Sequence, residues 1–238
     1  GHPVNPDNVA TALPQAATTL RARGLDIPMI TANTDLVDPS ADGVDTLLAA
    51  MAAAGVPRVK LGYYKLDLAA DYWATVDTCR EKLAAWSTKA QSHGVQVVYH
   101  THSNRCMGLN AGMLAHLLRG LNPQGVGAYL DTGHLTGEGE EFAVALAMQK
   151  EHLSAVSLKD FLLQREQHNG HGRKKRQVVE AGQGMTDFTA AFECLQAIGY
   201  TGPASIHCEF DVEAAGFAAA VEREAAFFVA LRQRVFGT

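Results

Sequence analysis

Short apolar runs alternate with longer amphipathic segments along most of the chain. The runs are mostly apolar, several are rich in valine and isoleucine, and glycine or proline lies nearby, which predicts buried β-strands. They lie at residues 25–31, 58–64, 95–102, 125–131, 153–160 and 203–210. The segments between them carry apolar residues at helical spacing and predict α-helices. These segments are residues 5–24, 43–55, 71–94, 112–121, 140–152, 187–199 and 221–236.

Three phrases, "AAAGVPRVKL", "QSHGVQVVYH" and "AIGYTGPASIH", repeat one plan of helix, glycine and strand. For the helical segment 43–55, we expect Ser40 to cap the beginning and Gly55 to mark the end. The alternation predicts parallel strands joined by crossover helices, and therefore an α/β fold.

Polar residues stand at the carboxyl ends of successive predicted strands. They are His100 and His102, then Asp131, then Lys159 and Asp160, then Glu209. This placement is typical of a (β/α)8 TIM barrel, whose active site is built at that face. An open doubly wound sheet is the alternative, since it also binds ligands at strand ends. Six strands are fewer than eight, so we expect one barrel-like domain over residues 1–238 that lacks its first one or two β/α units.

The composition favours a folded protein without a nucleic-acid partner. Of 238 residues, 47% are hydrophobic and 19% charged, enough for a substantial core, and the formal net charge is -5. The four cysteines show no CxxC pair, so we expect a reduced, cytoplasmic protein. We find no signal peptide and no apolar run long enough for a membrane span. The G-x-G-x-x-G and G-x-x-x-x-G-K-[ST] nucleotide motifs do not occur in the sequence.

Asp131 and His134, in "GAYLDTGH", leave the same predicted strand end. A carboxylate and an imidazole so placed can share one divalent ion. The alternative is that Asp131 caps the following turn and His134 is a solvated loop residue.

His100 and His102 lie two residues apart in "YHTHSN", so on a strand they would point to the same side, toward a metal or a substrate oxygen. Glu209 ends a mostly apolar run, where an unpaired glutamate would be costly. His207 shares the parity of Glu209 and is expected to be structural or to support the site.

Lys159 can serve as a base, an acid or an oxyanion clamp, or simply form a salt bridge. Asp160 should point the other way, into the helix layer. Residues 169–188 read as a long loop whose basic run "RKKR" is a solvated segment, or a lid or anion contact.

Five segments, "VQVVYHTHSN", "AYLDTGH", "SLKDF", "EAGQGMTDF" and "GPASIHCEFD", occur in an order that resembles the xylose-isomerase-like TIM-barrel superfamily. That superfamily holds the sugar phosphate isomerases and epimerases and, more distantly, the metal-dependent apurinic endonucleases. The resemblance covers residues 20–212. It implies a divalent metal at the carboxyl face, with Asp131 and Glu209 at ligand positions and His134 at a position that binds metal or substrate.

The chain departs from that pattern at two positions. His100 stands where the sugar epimerases typically have a glutamate, and Ser157 stands where they have a metal-binding histidine. With Glu209 alone left of the glutamate pair, a symmetric two-glutamate epimerisation is not favoured. His100 would then hold the metal and leave Lys159 or His102 as the second acid or base.

We therefore expect an isomerase or epimerase, dependent on one divalent ion (Mn, Mg, Co or Zn), that transfers a proton next to the carbonyl of a sugar, keto-sugar or sugar phosphate. The alternatives are a dehydratase or keto-sugar lyase, a non-catalytic sugar-binding barrel or subunit and, less favoured, an apurinic endonuclease. The expected catalytic residues are Glu209, Lys159 and His134. The expected metal ligands are His100, His102, Asp131 and Glu209, and the expected substrate contacts are His102, His134, Lys159 and His207. We expect a small sugar as the partner, with no nucleic acid or membrane, and a homo-oligomer is open.

Overall fold

The computed structural model describes residues 3–32 and 35–237. The helices are α1 Val9–Arg21, α2 Val44–Ala54, α3 Tyr72–Gln91, α4 Ala111–Leu118, α5 Thr132–Glu138, α6 Phe142–Gln149, α7 Phe188–Ala197 and α8 Phe217–Phe236. The strands are β1 Ile30–Thr31, β2 Arg58–Lys60, β3 Gln96–His100, β4 Val126–Asp131, β5 Leu153–Leu158, β6 Asp160–His168, β7 His171–Val179 and β8 Ala204–Ile206. A short 3-10 helix, Ala214–Gly216, precedes α8.

Six strands form one sheet in the order β1-β2-β3-β4-β5-β8. β2 pairs in parallel with β1 and β3, and β5 pairs in parallel with β8, as crossover helices require. The α/β prediction is confirmed, and each of the six predicted apolar runs contains one strand of this sheet. The strands are shorter than the runs, because hydrophobicity marks buried chain whether or not it pairs.

The chain divides into two compact units, and the sequence position of β4 spans both. The first unit holds the described residues up to His100 together with 105–107 and 115–128. Its interior includes the fully buried side chains of Leu48, Met51, Leu83 and Trp86. The prediction that residues 1–238 form a single barrel-like domain stays a prediction.

The second unit holds residues 101–104, 108–114 and those from Tyr129 onward. Its core joins β5 to α7 and α8, and aromatic rings pack edge to face within it. The core residues are Val156, Leu158, Phe188, Phe192, Leu195, Phe228 and Leu231. Of the residues discussed for the site below, His100 and its partner Tyr63 belong to the first unit and the others to this second unit.

The predicted loop over 169–188 is partly wrong, because its first half belongs to a long hairpin. β6 and β7 pair antiparallel from Asp160↔Val179 to His168↔His171. Asn169 and Gly170 form the turn, with φ of 46° and 83°. Positive φ at both central residues is typical of the hairpin turn that an Asn-Gly pair favours. The Asn-Gly dipeptide is the feature of the sequence from which this hairpin could have been predicted.

The basic run 173–176 lies on β7, and much of its charge is used within the chain. Arg173 pairs with Glu166 across the hairpin. Lys174 donates to the carbonyl of Gly137, and Arg176 pairs with Glu138 at the end of α5. Cations suit this place because the carboxyl end of a helix carries partial negative charge.

Two other local expectations are also corrected. Ser40 does not cap α2, because its hydroxyl donates to Asp38, and the cap position is Gly43 in a left-handed conformation. Gly55 does end α2. Among the described residues, none of the helices combines the length and the apolar character needed to cross a membrane. The four cysteines, all within the described part of the chain, form no disulfide.

Candidate active site

Asp131 is fully buried at the end of β4, and both of its carboxylate oxygens accept hydrogen bonds. Oδ1 accepts the backbone N–H of His134 at 2.8 Å, which caps the amino end of α5. Oδ2 accepts the hydroxyl of Ser157 at 2.8 Å. The turn-capping alternative for Asp131 therefore describes one oxygen, while the other oxygen faces the site. His134 is buried in the first turn of α5 and is not a solvated loop residue.

Lys159 directly follows β5 and places its ammonium among three groups. Nζ lies 2.7 Å from Oε2 of Glu209, 3.5 Å from Oδ2 of Asp131 and 3.3 Å from Nε2 of His134. The lysine side chain is 3% exposed. An ammonium has three donors and no acceptor, so it suits a position between two carboxylates.

The backbone of Lys159 is held by the first turn of α5. The Thr132 hydroxyl donates to the Lys159 carbonyl at 3.0 Å and accepts the Lys159 N–H at 3.1 Å. A Cβ on Gly133 would lie 2.9 Å from the same carbonyl oxygen, so this approach requires glycine. In the sequence "DTG", Asp131 caps α5, Thr132 holds the backbone of Lys159 and Gly133 leaves space for the Lys159 carbonyl.

Glu209 lies beyond the end of β8, and its side chain is 54% exposed. The expectation of a buried glutamate at a strand end is corrected, because β8 ends at Ile206. Burial raises the pKa of the Glu209 carboxyl, but the hydrogen bond and charge of Lys159 outweigh it and hold this pKa below its usual range. The carboxylate is therefore ionised at neutral pH and reachable from solvent.

Both ring nitrogens of His134 have partners. Nε2 lies 3.3 Å from the Lys159 ammonium. Nδ1 accepts the backbone N–H of Ser103 at 3.3 Å and lies 3.0 Å from the hydroxyl of the same residue. The ring is thus held between Lys159 and Ser103.

His207 joins the same group of charged side chains. Its Nδ1 lies 3.4 Å from Oε1 of Glu209 and 3.8 Å from Oδ2 of Asp131. Its Nε2 is 2.9 Å from the Tyr129 hydroxyl, and burial raises the pKa of that phenol to about 12. The structure brings His207 nearer to the carboxylates than the expected supporting layer would place it.

His100 and His102 do not share one face of a strand. β3 ends at His100, and the N–H of His102 bonds to the carbonyl of Gly108 in the loop that follows. His100 is buried, with Nδ1 2.9 Å from the Tyr63 hydroxyl. The His102 ring lies 4.2 Å from the His134 ring, centroid to centroid. The same-side expectation is wrong, because the strand ends two residues before the apolar run does.

Asp160 points toward a loop and not into the helix layer. Its carboxylate accepts the backbone N–H groups of Gly182, Gly184 and Thr186 at 2.8–3.0 Å. It is 2% exposed, so these bonds order the segment 180–186 from inside the protein. Residue types alone could not assign this partner, since the loop is more than twenty residues away in sequence.

A model of the family described as "Xylose isomerase-like TIM barrel" matches residues 7–230. The chain belongs to this family. An inosose dehydratase from Lacticaseibacillus casei is 29% identical over 148 residues, which are 59% of this chain and 48% of that protein. The chain thus spans about half the length of the curated relative that it matches.

Solved structures share the fold of the chain. A 3-keto-D-glucoside 4-epimerase from E. coli superposes with a TM-score of 0.71 and 16% identity, over 95% of this chain and 89% of that one. The IolI protein with a bound zinc atom gives a TM-score of 0.73 and 16% identity, over 95% of this chain and 83% of that one. At these identities the likeness concerns the fold.

The donor set of this family member does not fit a divalent metal. In residues 3–32 and 35–237, no group of three or more His, Cys, Asp or Glu side chains is arranged to hold one. Asp131 and Glu209, two of the expected ligands, instead face the Lys159 ammonium. Ser157, at a position where the resemblance expects a ligand histidine, donates its proton to Asp131.

Proposed function

We propose that this chain is an enzyme that removes a proton next to the carbonyl of a keto-polyol or keto-sugar and then expels a hydroxyl as water. The observation that carries this proposal is the contact of 2.7 Å between the buried Lys159 ammonium and the half-exposed Glu209 carboxylate. It pairs a base that solvent reaches with a fixed positive charge, and proton abstraction next to a carbonyl needs both.

Glu209 is the proposed base. Its low pKa keeps it ionised, and its exposure leaves room for a substrate C–H bond. When Glu209 takes the proton, the two electrons of the C–H bond move into the enolate. Lys159 then hydrogen-bonds the developing oxyanion, for which its buried, fixed position is suited.

Elimination completes a balanced step. The enolate electrons re-form the carbonyl and a carbon–carbon double bond as the β-hydroxyl departs, and Glu209 returns its proton to that hydroxyl. The products are an unsaturated ketone and one water molecule. Dehydration is neither an oxidation nor a reduction of the substrate, so no redox partner is needed. One carboxylate acting first as base and then as acid is sufficient.

Dehydration suits the site better than a symmetric two-carboxylate epimerisation. That mechanism would need another reachable carboxylate on the opposite face, and Asp131 is fully buried with both oxygens bonded. The sequence match to an inosose dehydratase supports the same choice. Isomerisation, which also begins with one abstracted proton, is the second candidate on this site.

Proton abstraction can be followed by NMR in D2O, as loss of the signal of the proton next to the carbonyl in inosose and in a panel of ketoses. Water loss from the same samples is followed by mass spectrometry. Glu209→Gln should reduce exchange by about 10²- to 10⁴-fold, the usual contribution of a general base. Glu213→Gln, an exposed glutamate four residues further on, is the matched control.

Exchange together with water loss supports the dehydratase. Exchange with a rearranged product supports the isomerase. Exchange that Glu209→Gln leaves intact contradicts the assignment of the base. Tight binding of a sugar with no exchange would favour the non-catalytic barrel. The substrate contacts expected for His102 and His207 stay predictions.

A further inference from the structure

The positive charge of this site belongs to the protein chain itself. Lys159 Nζ touches a carboxylate oxygen of Glu209, approaches one of Asp131 and contacts an imidazole nitrogen of His134, at 2.7, 3.5 and 3.3 Å. Two carboxylates and an imidazole are the donor types that a divalent ion prefers in proteins. The ammonium thus lies where these donors converge.

Asp131 and His134 are also engaged through their other contacts. Asp131 Oδ2, the oxygen nearest the ammonium, also accepts the Ser157 hydroxyl, and Oδ1 caps α5. His134 directs its other nitrogen to the Ser103 hydroxyl. A metal at this point would have to displace the Ser157 proton and sit against the ammonium, whose like charge opposes it.

The lysine is fixed in this place by the fold. Thr132 bonds both its carbonyl and its N–H, and Gly133 leaves no Cβ against that carbonyl. A lysine that only formed a surface ion pair would be solvated and mobile, whereas this side chain is 3% exposed. These side chains form a cation site, and the cation in it is the ammonium of Lys159, which is part of the same chain.

We propose that the Lys159 ammonium is the resident cation of this site, so that the protein binds no divalent metal there and acts without one. The inference rests on the proposed function only in its second part, that the protein acts without a divalent metal. The first part, that the protein binds no divalent metal at this site, can be tested without any substrate.

The first measurement is the metal content of the wild-type protein, purified without chelator and again after dialysis against MnCl2 or ZnCl2. We expect far less than one equivalent in each sample, and a melting temperature that neither EDTA nor MnCl2 shifts. One equivalent of metal, with a melting temperature that falls on adding EDTA, would overturn the proposal whatever the activity.

The second measurement compares Lys159→Ala with Lys150→Ala, an exposed lysine, after circular dichroism shows that both fold. Without its ammonium, the site carries two uncompensated carboxylates. We expect methylammonium chloride, which supplies a free ammonium, to raise the melting temperature of Lys159→Ala and not that of Lys150→Ala. A Lys159→Ala protein that methylammonium does not stabilise would mean that these donors do not form an ammonium site, which contradicts the proposal. If Lys159→Ala does not fold, the wild-type measurement decides alone.

The two proposals fail in different assays. A metal-free, EDTA-insensitive wild-type protein that exchanges no substrate proton would remove the proposed function and leave the cation assignment standing. Exchange that requires added metal would remove the cation assignment and leave proton abstraction standing.

Discussion

Thr132 holds the backbone of Lys159 through both roles of one hydroxyl, donating to its carbonyl at 3.0 Å and accepting its N–H at 3.1 Å. The two residues are buried and follow different strands of the sheet. The contact therefore ties the start of α5 to the exit of β5. It decides where the lysine side chain begins, and hence where its ammonium can reach.

Thr132→Val should weaken this tie while nearly conserving side-chain volume. Two buried backbone groups of Lys159 would lose a partner, and we expect the free energy of unfolding to fall by about 1–3 kcal/mol. Proton exchange should fall as well. Urea unfolding and the D2O assay measure the two effects. Thr136→Val on the same helix is the control, because it leaves both bonds in place; equal losses in the two variants would contradict the clamp.

Gly133→Ala should displace Lys159 by steric contact. The added Cβ would meet the Lys159 carbonyl oxygen at 2.9 Å, and backbone atoms there cannot move freely. We expect a loss of about 1–3 kcal/mol in stability, as in other overpacked sites. Gly112→Ala in α4 is the matched control, because its nearest contact would be an ordinary 3.6 Å. If both variants were equally stable, close packing at Gly133 would not be limiting.

Asp160→Asn should loosen the segment 180–186. An amide keeps one acceptor oxygen where the carboxylate accepts three backbone N–H groups. We expect faster hydrogen exchange at Gly182, Gly184 and Thr186, and about 1–3 kcal/mol less stability. Exchange measured by mass spectrometry on peptides of this segment provides the check. Asp211→Asn, an exposed aspartate, should leave these peptides unchanged.

Glu224 should make stability fall as the pH rises from acid to neutral. Burial raises the pKa of its carboxyl above the usual value, with smaller contributions from Glu180 and Asp160, although the N–H of Ala181 opposes the shift. A folded-state pKa above the unfolded value means that the folded protein holds the proton more tightly. The contribution to stability is then complete below the unfolded pKa and is lost as the pH passes the folded one.

Glu224→Gln removes that titration and keeps an acceptor oxygen for Ala181. The stability of Glu224→Gln relative to wild type should therefore improve between pH 4 and pH 7, in urea unfolding at each pH. A constant difference across this range would show that Glu224 does not titrate differently on unfolding. Glu222→Gln, an exposed neighbour on α8, is the control.

The sequence by itself determined the fold class and the neighbourhood of the site. Alternating apolar runs and helices, with a glycine such as Gly55 between them, allow few arrangements besides a parallel sheet with crossovers. Since parallel strands present their carboxyl ends at the same edge, Asp131, Lys159 and Glu209 could be expected together before any coordinate was known.

Only the tertiary structure decided which partner each group takes. Hydrophobicity indicates which residues are buried and not which residues pair in a sheet. The apolar pattern therefore extended the predicted strand past His100, whereas His102 lies in the loop that follows β3. From the sequence, Lys159 could be a base, an acid or an oxyanion clamp, or form a salt bridge. The choice depended on Thr132, Gly133 and Ser157. Their contacts with the site form only when the atoms are positioned to within a few tenths of an ångström. Such distances follow from packing the whole unit, and residue types alone do not encode them.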